Sequence, residues 1–167
     1  MLADQFTQVF REEHRQIRDT LLELIPAFQN RDKVRIEFLL KQAATLTGPH
    51  FRYEEETLYP ALVDIFGKDY VEELLRAHDR AIKGAKRMIE LAGHDPLTDE
   101  GVEEATRLTR NILPHVSDCD GLSIMVERLP DRMVQGILDA RDSSQRAGLD
   151  LLQWADQVRN RPASVPE

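Results

Sequence analysis

Apolar residues recur along most of the chain at intervals of three and four, which is the spacing of a helix that buries one face. In residues 3–29 they stand at Phe6, Phe10, Ile17, Leu21, Leu24 and Ile25. The same spacing continues over residues 32–67, 69–92, 99–128 and 131–160. Stretches with the alternating pattern of a β-strand are almost absent, so we predict an all-α protein.

The boundaries of these segments depend on capping residues and prolines. Asp32 is suited to cap the N-terminus of the second helix, and turn-forming residues mark a loop at 93–100. Proline removes a backbone donor and clashes with the preceding turn, so we expect Pro49 and Pro114 to interrupt the second and fourth segments. Because the connections are short, the fold is predicted to be an up-down four-helix bundle with an additional C-terminal helix.

The bundle accounts for only part of the chain, whose 167 residues suffice for one domain with a sizeable core. Residues 1–130 are predicted to form the four-helix domain. Residues 131–160 are predicted to form a helical extension that packs on the bundle or self-associates. Residues 161–167 are expected to be a disordered tail.

Composition narrows the range of functions. Hydrophobic residues make up 41% of the chain and aromatic residues only 6%, which fits helices better than sheets. The formal net charge of −8 disfavours nucleic acid and anionic membranes as partners, because both attract clustered lysine and arginine. Cys119 is the single cysteine and excludes an intramolecular disulfide. With no secretory signal and no run of about 20 apolar residues, we expect a cytoplasmic protein without a membrane segment.

Histidines recur with the helices. His14 and His50 are separated by nearly the same interval as His78 and His115, and the second member of each pair follows a proline. This repeated spacing predicts that the chain contains the same helix pair twice. In a bundle with approximate twofold symmetry, four histidines, one on each helix, would meet at a shared level.

Acidic residues accompany two of these histidines. His50 and Glu54 are four residues apart and so share one face of a helix. After His115, Asp118 and Cys119 best share the histidine's face, whereas Asp120 lies about 140° round the helix and could reach inward if the proline disturbs the helix. Imidazoles with carboxylates, in the absence of a cysteine cluster, suit iron, manganese or zinc.

Each of these residues also has an interpretation without a metal. A histidine on an apolar stripe, such as His78, is commonly a buried residue with its hydrogen bonds satisfied. Acidic residues at 12–13, 55–56, 72–73 and 103–104 are predicted to be solvated helix surface, and His94 a loop residue. The conjunction of four histidines on four predicted helices favours the metal site.

The combined pattern resembles the hemerythrins and hemerythrin-like cation-binding proteins over about residues 8–130. The matching elements are His14, His50-Phe-Arg-Tyr-Glu54, Ala-His78-Asp and His115-Val-Ser-Asp-Cys-Asp120. That family pairs a His-x-x-x-Glu motif with a later His-x-x-x-x-Asp motif, and both spacings occur here in that order.

The resemblance implies a non-haem centre of two iron ions joined by an oxo or hydroxo bridge. It assigns the residues to the irons as follows: His14 and His50 to one, His78 and His115 to the other, Glu54 and Asp120 as bridges. Family members bind dioxygen or sense oxygen, nitric oxide or redox state, and some are linked to peroxide handling or iron–sulfur repair.

One position departs from the family pattern. The family usually has a further histidine one turn before that of the third helix, and Leu74 stands there. Loss of this nitrogen ligand disfavours reversible oxygen carriage. Tyr53, on the helix face of His50, is either a replacement phenolate ligand or a packed residue with a hydrogen-bonded hydroxyl, and Cys119 is expected to be a buried bystander.

These observations lead to three functional hypotheses. The first is a di-iron protein that interacts with dioxygen, nitric oxide or peroxide and acts in sensing or stress response rather than in bulk oxygen transport. The second is a di-iron oxidoreductase or repair factor with catalase- or peroxidase-like activity, and the question of enzymatic activity stays open. The third is a metal-free helical interaction module. Residues 131–160 are the candidate contact for a second copy or another protein.

Overall fold

The computed structural model describes residues 1–159, and every regular element in that range is helical. The elements are α1 (Leu2–Gln29), α2 (Lys33–Tyr53), a π-helical turn (Glu54–Leu58), α3 (Tyr59–Phe66), α4 (Lys68–Ala92), α5 (Asp99–Asp120), α6 (Ser123–Val126), α7 (Asp131–Ala147) and α8 (Leu151–Arg159). The all-α class is confirmed, while the predicted tail at 161–167 lies outside the described residues. Among residues 1–159, no helix combines the length and apolar character needed to cross a membrane.

The predicted interruptions at the prolines are wrong. Pro49 lies inside α2 and Pro114 inside α5, and both helices continue through them. A proline removes one backbone hydrogen bond, which can bend a helix without ending it. The second predicted segment is instead broken later, by the π-helical turn at Glu54–Leu58.

The long helices surround a common interior. Helix α1 packs on α2 and α5, and α4 packs on the same two helices from the other side. One buried apolar cluster contains Phe6, Phe10 and Leu62, and another contains Leu24 and Met88. The predicted histidines lie between these clusters, because Phe10 stacks on His50 while Leu24 and Met88 line a cavity that His50 also lines.

The C-terminal extension is two helices, where the sequence predicted one. Gly148 adopts a left-handed conformation with φ of 65° and ends α7, a position that favours glycine because it has no Cβ. Helix α7 packs on α1 and α2, and α8 packs on α2 and α4. The extension buries an apolar face against these helices, formed by Val134, Ile137, Leu138, Leu151, Trp154 and Ala155.

Gly48 allows the extension to approach α2 closely. A Cβ at this position would lie 2.4 Å from the carbonyl oxygen of Leu149 and 2.7 Å from the backbone nitrogen of Leu151. Only glycine leaves room for this contact between two backbones. The function of Gly48 is therefore to seat the α7–α8 connection on α2.

Candidate metal centre

The four predicted histidines and Glu54 lie together in the interior. His14, His50, His78 and Glu54 are buried, and His115 joins them from α5, with its ring 4.9 Å from that of His78. Each histidine comes from a different long helix, as the sequence pattern predicted. Such a concentration of buried polar groups requires partners within the protein or a bound ligand.

Glu54 occupies the middle of the group. Its Oε1 lies 3.3 Å from Nε2 of His50 and 3.3 Å from Nε2 of His78. The spacing of four residues between His50 and Glu54 places both on the inner face of α2 and the turn that follows it. On the other side, Oε2 of Glu54 accepts a hydrogen bond of 2.5 Å from Sγ of Cys119.

The histidines of α1 and α2 present their Nε2 atoms to each other. Nδ1 of His14 donates to the carbonyl oxygen of Phe10 at 2.8 Å, so that nitrogen carries the proton and Nε2 faces inward. The Nε2 atoms of His14 and His50 are 3.2 Å apart. Two ring nitrogens from different helices are therefore within reach of one cation.

Charge at the centre is divided between Glu54 and two of the histidines. Burial opposes ionisation of Glu54, but the adjacent imidazoles of His50 and His78 hold its pKa well below the usual range. Burial also opposes the charge on His50, yet Glu54 and a second carboxylate raise the pKa of His50 to about 10. The pKa of His78 is raised in the same way. Burial lowers the pKa of His14 and of His115 to about 4, and the nearby imidazoles of His50 and His78 respectively lower it further.

Two acidic residues that the sequence placed on the solvated surface support the histidines instead. Glu13 is only 13% exposed and contacts Nδ1 of His50. Glu55 is 15% exposed, and its Oε2 lies 2.7 Å from Nδ1 of His78. The prediction of a solvated face is wrong for both, because α7 and α8 cover the surface on which they stand. It is confirmed for Glu56, which is exposed.

Tyr53 contacts the outer side of His50. Its hydroxyl donates to Glu13 at 3.0 Å and lies 3.2 Å from Nδ1 of His50. The Nε2 atom that faces Glu54 is on the opposite side of the ring. Of the two sequence interpretations of Tyr53, the geometry supports the packed residue with a hydrogen-bonded hydroxyl.

Tyr59 is a site residue that the sequence did not indicate. Its hydroxyl lies 3.0 Å from Nε2 of His78 and 3.4 Å from Sγ of Cys119. In a regular α-helix, Tyr59 would be about 140° round from Glu54. The π-helical turn, closed by a hydrogen bond from the backbone N–H of Tyr59 to the carbonyl of Glu54, carries the tyrosine back to the inner face. Such turns are common at functional sites.

Cys119 takes the inward position for which Asp120 was predicted. Helix α5 is continuous through Pro114, so Cys119, four positions after His115, lies on the same face as the histidine. Asp120 is 32% exposed and lies 3.7 Å from Nδ1 of His14 and 3.6 Å from Nε of Arg11. The structure thus places Asp120 beside His14, where its Oδ1 is buried without a hydrogen-bond partner among the described residues.

The donor atoms fit metal cations. Within the described chain, two groups each offer three potential ligand atoms within 4.8 Å of one another, namely His14, Glu54 and Cys119, and Glu54, His78 and His115. Glu54 belongs to both groups, as a carboxylate shared by two ions would. Its Oε1 and Nε2 of His115 are buried and lack hydrogen-bond partners among the described residues. Apart from the Cys119 thiol, these donors are imidazoles and a carboxylate, which suit iron.

A cavity of about 50 Å³ adjoins these donors. His14, His50, Glu54 and His115 contribute to one part of its wall. Aliphatic side chains form most of the remainder, among them Ile17, Leu21, Leu24, Ala85, Met88 and Ile112. A small apolar molecule could occupy this space next to the polar cluster.

Comparison with known proteins agrees with this chemistry. Residues 5–122 match the family described as the hemerythrin HHE cation binding domain. The chain belongs to this family. Neither the curated proteins nor the solved structures that were searched include a match. For this hemerythrin-like chain, metal binding is therefore the function that family and geometry share, and helices α7 and α8 lie beyond the matched residues.

Proposed function

We propose that this hemerythrin-like chain is a non-haem di-iron protein that binds dioxygen or nitric oxide, in sensing or in the response to oxidative or nitrosative stress. The observation that carries the proposal is the position of Glu54, which belongs to both groups of potential ligands. A carboxylate between two cations a few ångströms apart is the usual arrangement of a binuclear centre. When bound, the irons would supply the open coordination position and the redox chemistry.

The ligands of each iron follow from the contacts of the histidines. His14 and His50 would hold one iron, since their Nε2 atoms are 3.2 Å apart. His78 and His115 would hold the other, since a ring nitrogen of each lies within 4.8 Å of a carboxylate oxygen of Glu54. This assignment uses the predicted up-down four-helix arrangement, which the packing of α1 on α2 and α5 supports.

The adjoining cavity favours a diatomic gas over peroxide as the ligand. Its aliphatic lining offers few hydrogen-bond partners, and peroxide needs several. Dioxygen and nitric oxide need almost none, so they can enter an apolar space at little cost. With Leu74 at the position of a family histidine, and no added nitrogen ligand among the described residues, sensing or stress response fits better than bulk oxygen transport.

Metal analysis and an absorption spectrum of the purified full-length protein test this function. We expect about two irons per chain, as in other binuclear centres, and a spectrum that changes when nitric oxide is added to the reduced protein. A protein that takes up no iron would overturn the proposal and favour the third hypothesis, in which the histidines are structural.

A second candidate function is reaction with peroxide. The observation that favours it is the pair of buried proton-bearing groups on the centre, the Tyr59 hydroxyl and the Cys119 thiol, which are 3.4 Å apart. Burial, together with the nearby carboxylate of Glu54, raises the pKa of both groups well above the usual range, so both are kept protonated. Turnover of hydrogen peroxide that is lost in Tyr59→Phe would support this function, and absence of turnover in the unsubstituted protein would exclude it.

The predicted location and partner also belong to this proposal. A single buried thiol, Cys119, suits the reducing cytosol. The predicted contact through residues 131–160 would have to use the outer, mostly polar side of α7 and α8, because most of their apolar residues are buried against α1, α2 and α4 and Val158 is an exposed exception. Deletion of residues 131–160 without change in oligomeric state, solubility or metal content would contradict a role for this segment.

A further inference from the structure

Helices α7 and α8 lie outside the residues matched by the family, yet an arginine from each helix contacts a carboxylate beside the histidine cluster. Nε of Arg141, on α7, lies 3.1 Å from Oε1 of Glu13. Nη2 of Arg159, at the end of α8, lies 2.7 Å from Oε2 of Glu55. The arginine side chains are 21% and 24% exposed, so both ion pairs are largely shielded from solvent.

Each carboxylate contacts a histidine on the side of the ring that faces away from Glu54. Oε2 of Glu55 lies 2.7 Å from Nδ1 of His78, and Oε2 of Glu13 lies 3.5 Å from Nδ1 of His50. Nε2 of each of these histidines is 3.3 Å from Glu54. Two similar chains of contacts therefore run from the extension to the centre, and each passes through one arginine, one carboxylate and one histidine.

Contacts of this kind control how a histidine binds a metal. A carboxylate at Nδ1 fixes the orientation of the ring and makes the other nitrogen a better donor. The carboxylate itself must be held, because a buried negative charge without a partner is unstable. Arg141 holds Glu13 and Arg159 holds Glu55, and both arginines are in place only while α7 and α8 are docked.

We propose, on the basis of the proposed di-iron function, that docking of α7 and α8 and binding of iron stabilise each other through these two chains. Arg141 and Arg159 are the positioning residues. By thermodynamic linkage, an element that strengthens metal binding when docked is itself held more tightly when the metal is bound. The outer surface of the extension then reports the state of the centre.

The first test is the affinity for ferrous iron, titrated without oxygen into the full-length protein against a coloured chelator. We expect Arg141→Gln and Arg159→Gln each to weaken binding by about tenfold, the lower end of the effect of removing groups that support metal ligands. Lysine at either position keeps the charge and should restore most of the affinity. Arg146→Gln is the matched control, because Arg146 is on α7 and exposed.

The second test is hydrogen exchange in α7 and α8, with and without ferrous iron. Iron should slow exchange there in the unsubstituted protein and have little effect in the double variant Arg141→Gln/Arg159→Gln. If the arginines had only a structural role, replacing them would change exchange by the same amount with and without ferrous iron. If a glutamine variant fails to fold, exchange in the unsubstituted protein decides alone, because iron that does not slow exchange in α7 and α8 contradicts the linkage.

The outcomes separate this inference from the function on which it rests. An unsubstituted protein that binds no iron overturns both. An unsubstituted protein that binds iron, together with glutamine variants of equal affinity and exchange in α7 and α8 that iron does not change, overturns the inference and leaves the proposed function standing.

Discussion

The hydroxyl of Tyr59 lies 3.0 Å from Nε2 of His78, on the inner side of the ring. Leu74, which stands where the family usually has a histidine, is one turn before His78 and packs in the same buried cluster as Tyr59. A phenolic oxygen thus lies next to the ring of His78, close to the position where Leu74 replaces the family's additional histidine. A bound cation can deprotonate such a group in spite of its raised pKa.

Tyr59→Phe is expected to remove a visible absorption band of the ferric protein, because phenolate is a hard donor suited to ferric iron. Tyr53→Phe is the matched control, since the Tyr53 hydroxyl lies on the Nδ1 side of His50. The measurement is the absorption spectrum of each protein loaded with iron. Spectra of both variants identical to that of the unsubstituted protein would show that neither tyrosine is a ligand.

Glu54→Gln is expected to prevent the binding of two irons together. An amide cannot neutralise two cations, so the metal content should fall from about two ions per chain to one or fewer. We also expect the free energy of unfolding to fall by about 3 kcal/mol, because the buried charges on His50 and His78 lose the carboxylate between them. Glu56→Gln, on the exposed side of the same turn, should leave both the metal content and the stability unchanged.

Gly48→Ala is expected to destabilise the protein by about 3 kcal/mol, the upper end of the cost of overpacking. The new Cβ would meet backbone atoms of Leu149 and Leu151, which cannot move aside as a side chain could. Gly136→Ala is the control, because among the described residues no atom outside the local helix backbone lies within 4 Å of a Cβ there, and alanine in the helix should raise the free energy of unfolding by about 0.5 kcal/mol. Denaturant unfolding measures both, and equal stabilities would contradict the close approach.

Ala85→Leu is expected to slow the binding of nitric oxide without changing the iron content. The larger side chain would fill part of the cavity that Ala85 lines, at a cost of about 1–3 kcal/mol in stability. Stopped-flow absorption with the reduced protein measures the rate. Ala147→Leu, on the exposed side of α7, is the control. An unchanged rate in Ala85→Leu would mean that the ligand does not use this cavity.

The sequence alone predicted the long helices and the positions of the four histidines and Glu54 on them. Periodic apolar residues define a helix because its buried face repeats every 3.6 residues. The same local geometry placed His50 and Glu54 on one face, and the equal spacing of the histidine pairs indicated that four helices would each contribute one. These predictions depend on intervals within a single helix or on a repeated pattern, and both are visible in a linear chain.

The tertiary structure decided which groups surround that set. The π-helical turn, which residue spacing does not indicate, brought Tyr59 to the inner face. Helix α5, continuous through its proline, turned Cys119 toward Glu54 and Asp120 toward His14. Glu13 and Glu55 became supporting residues only because α7 and α8 fold back over them. Contacts between distant segments depend on how the helices pack, and the spacing of residues along the chain does not indicate that packing.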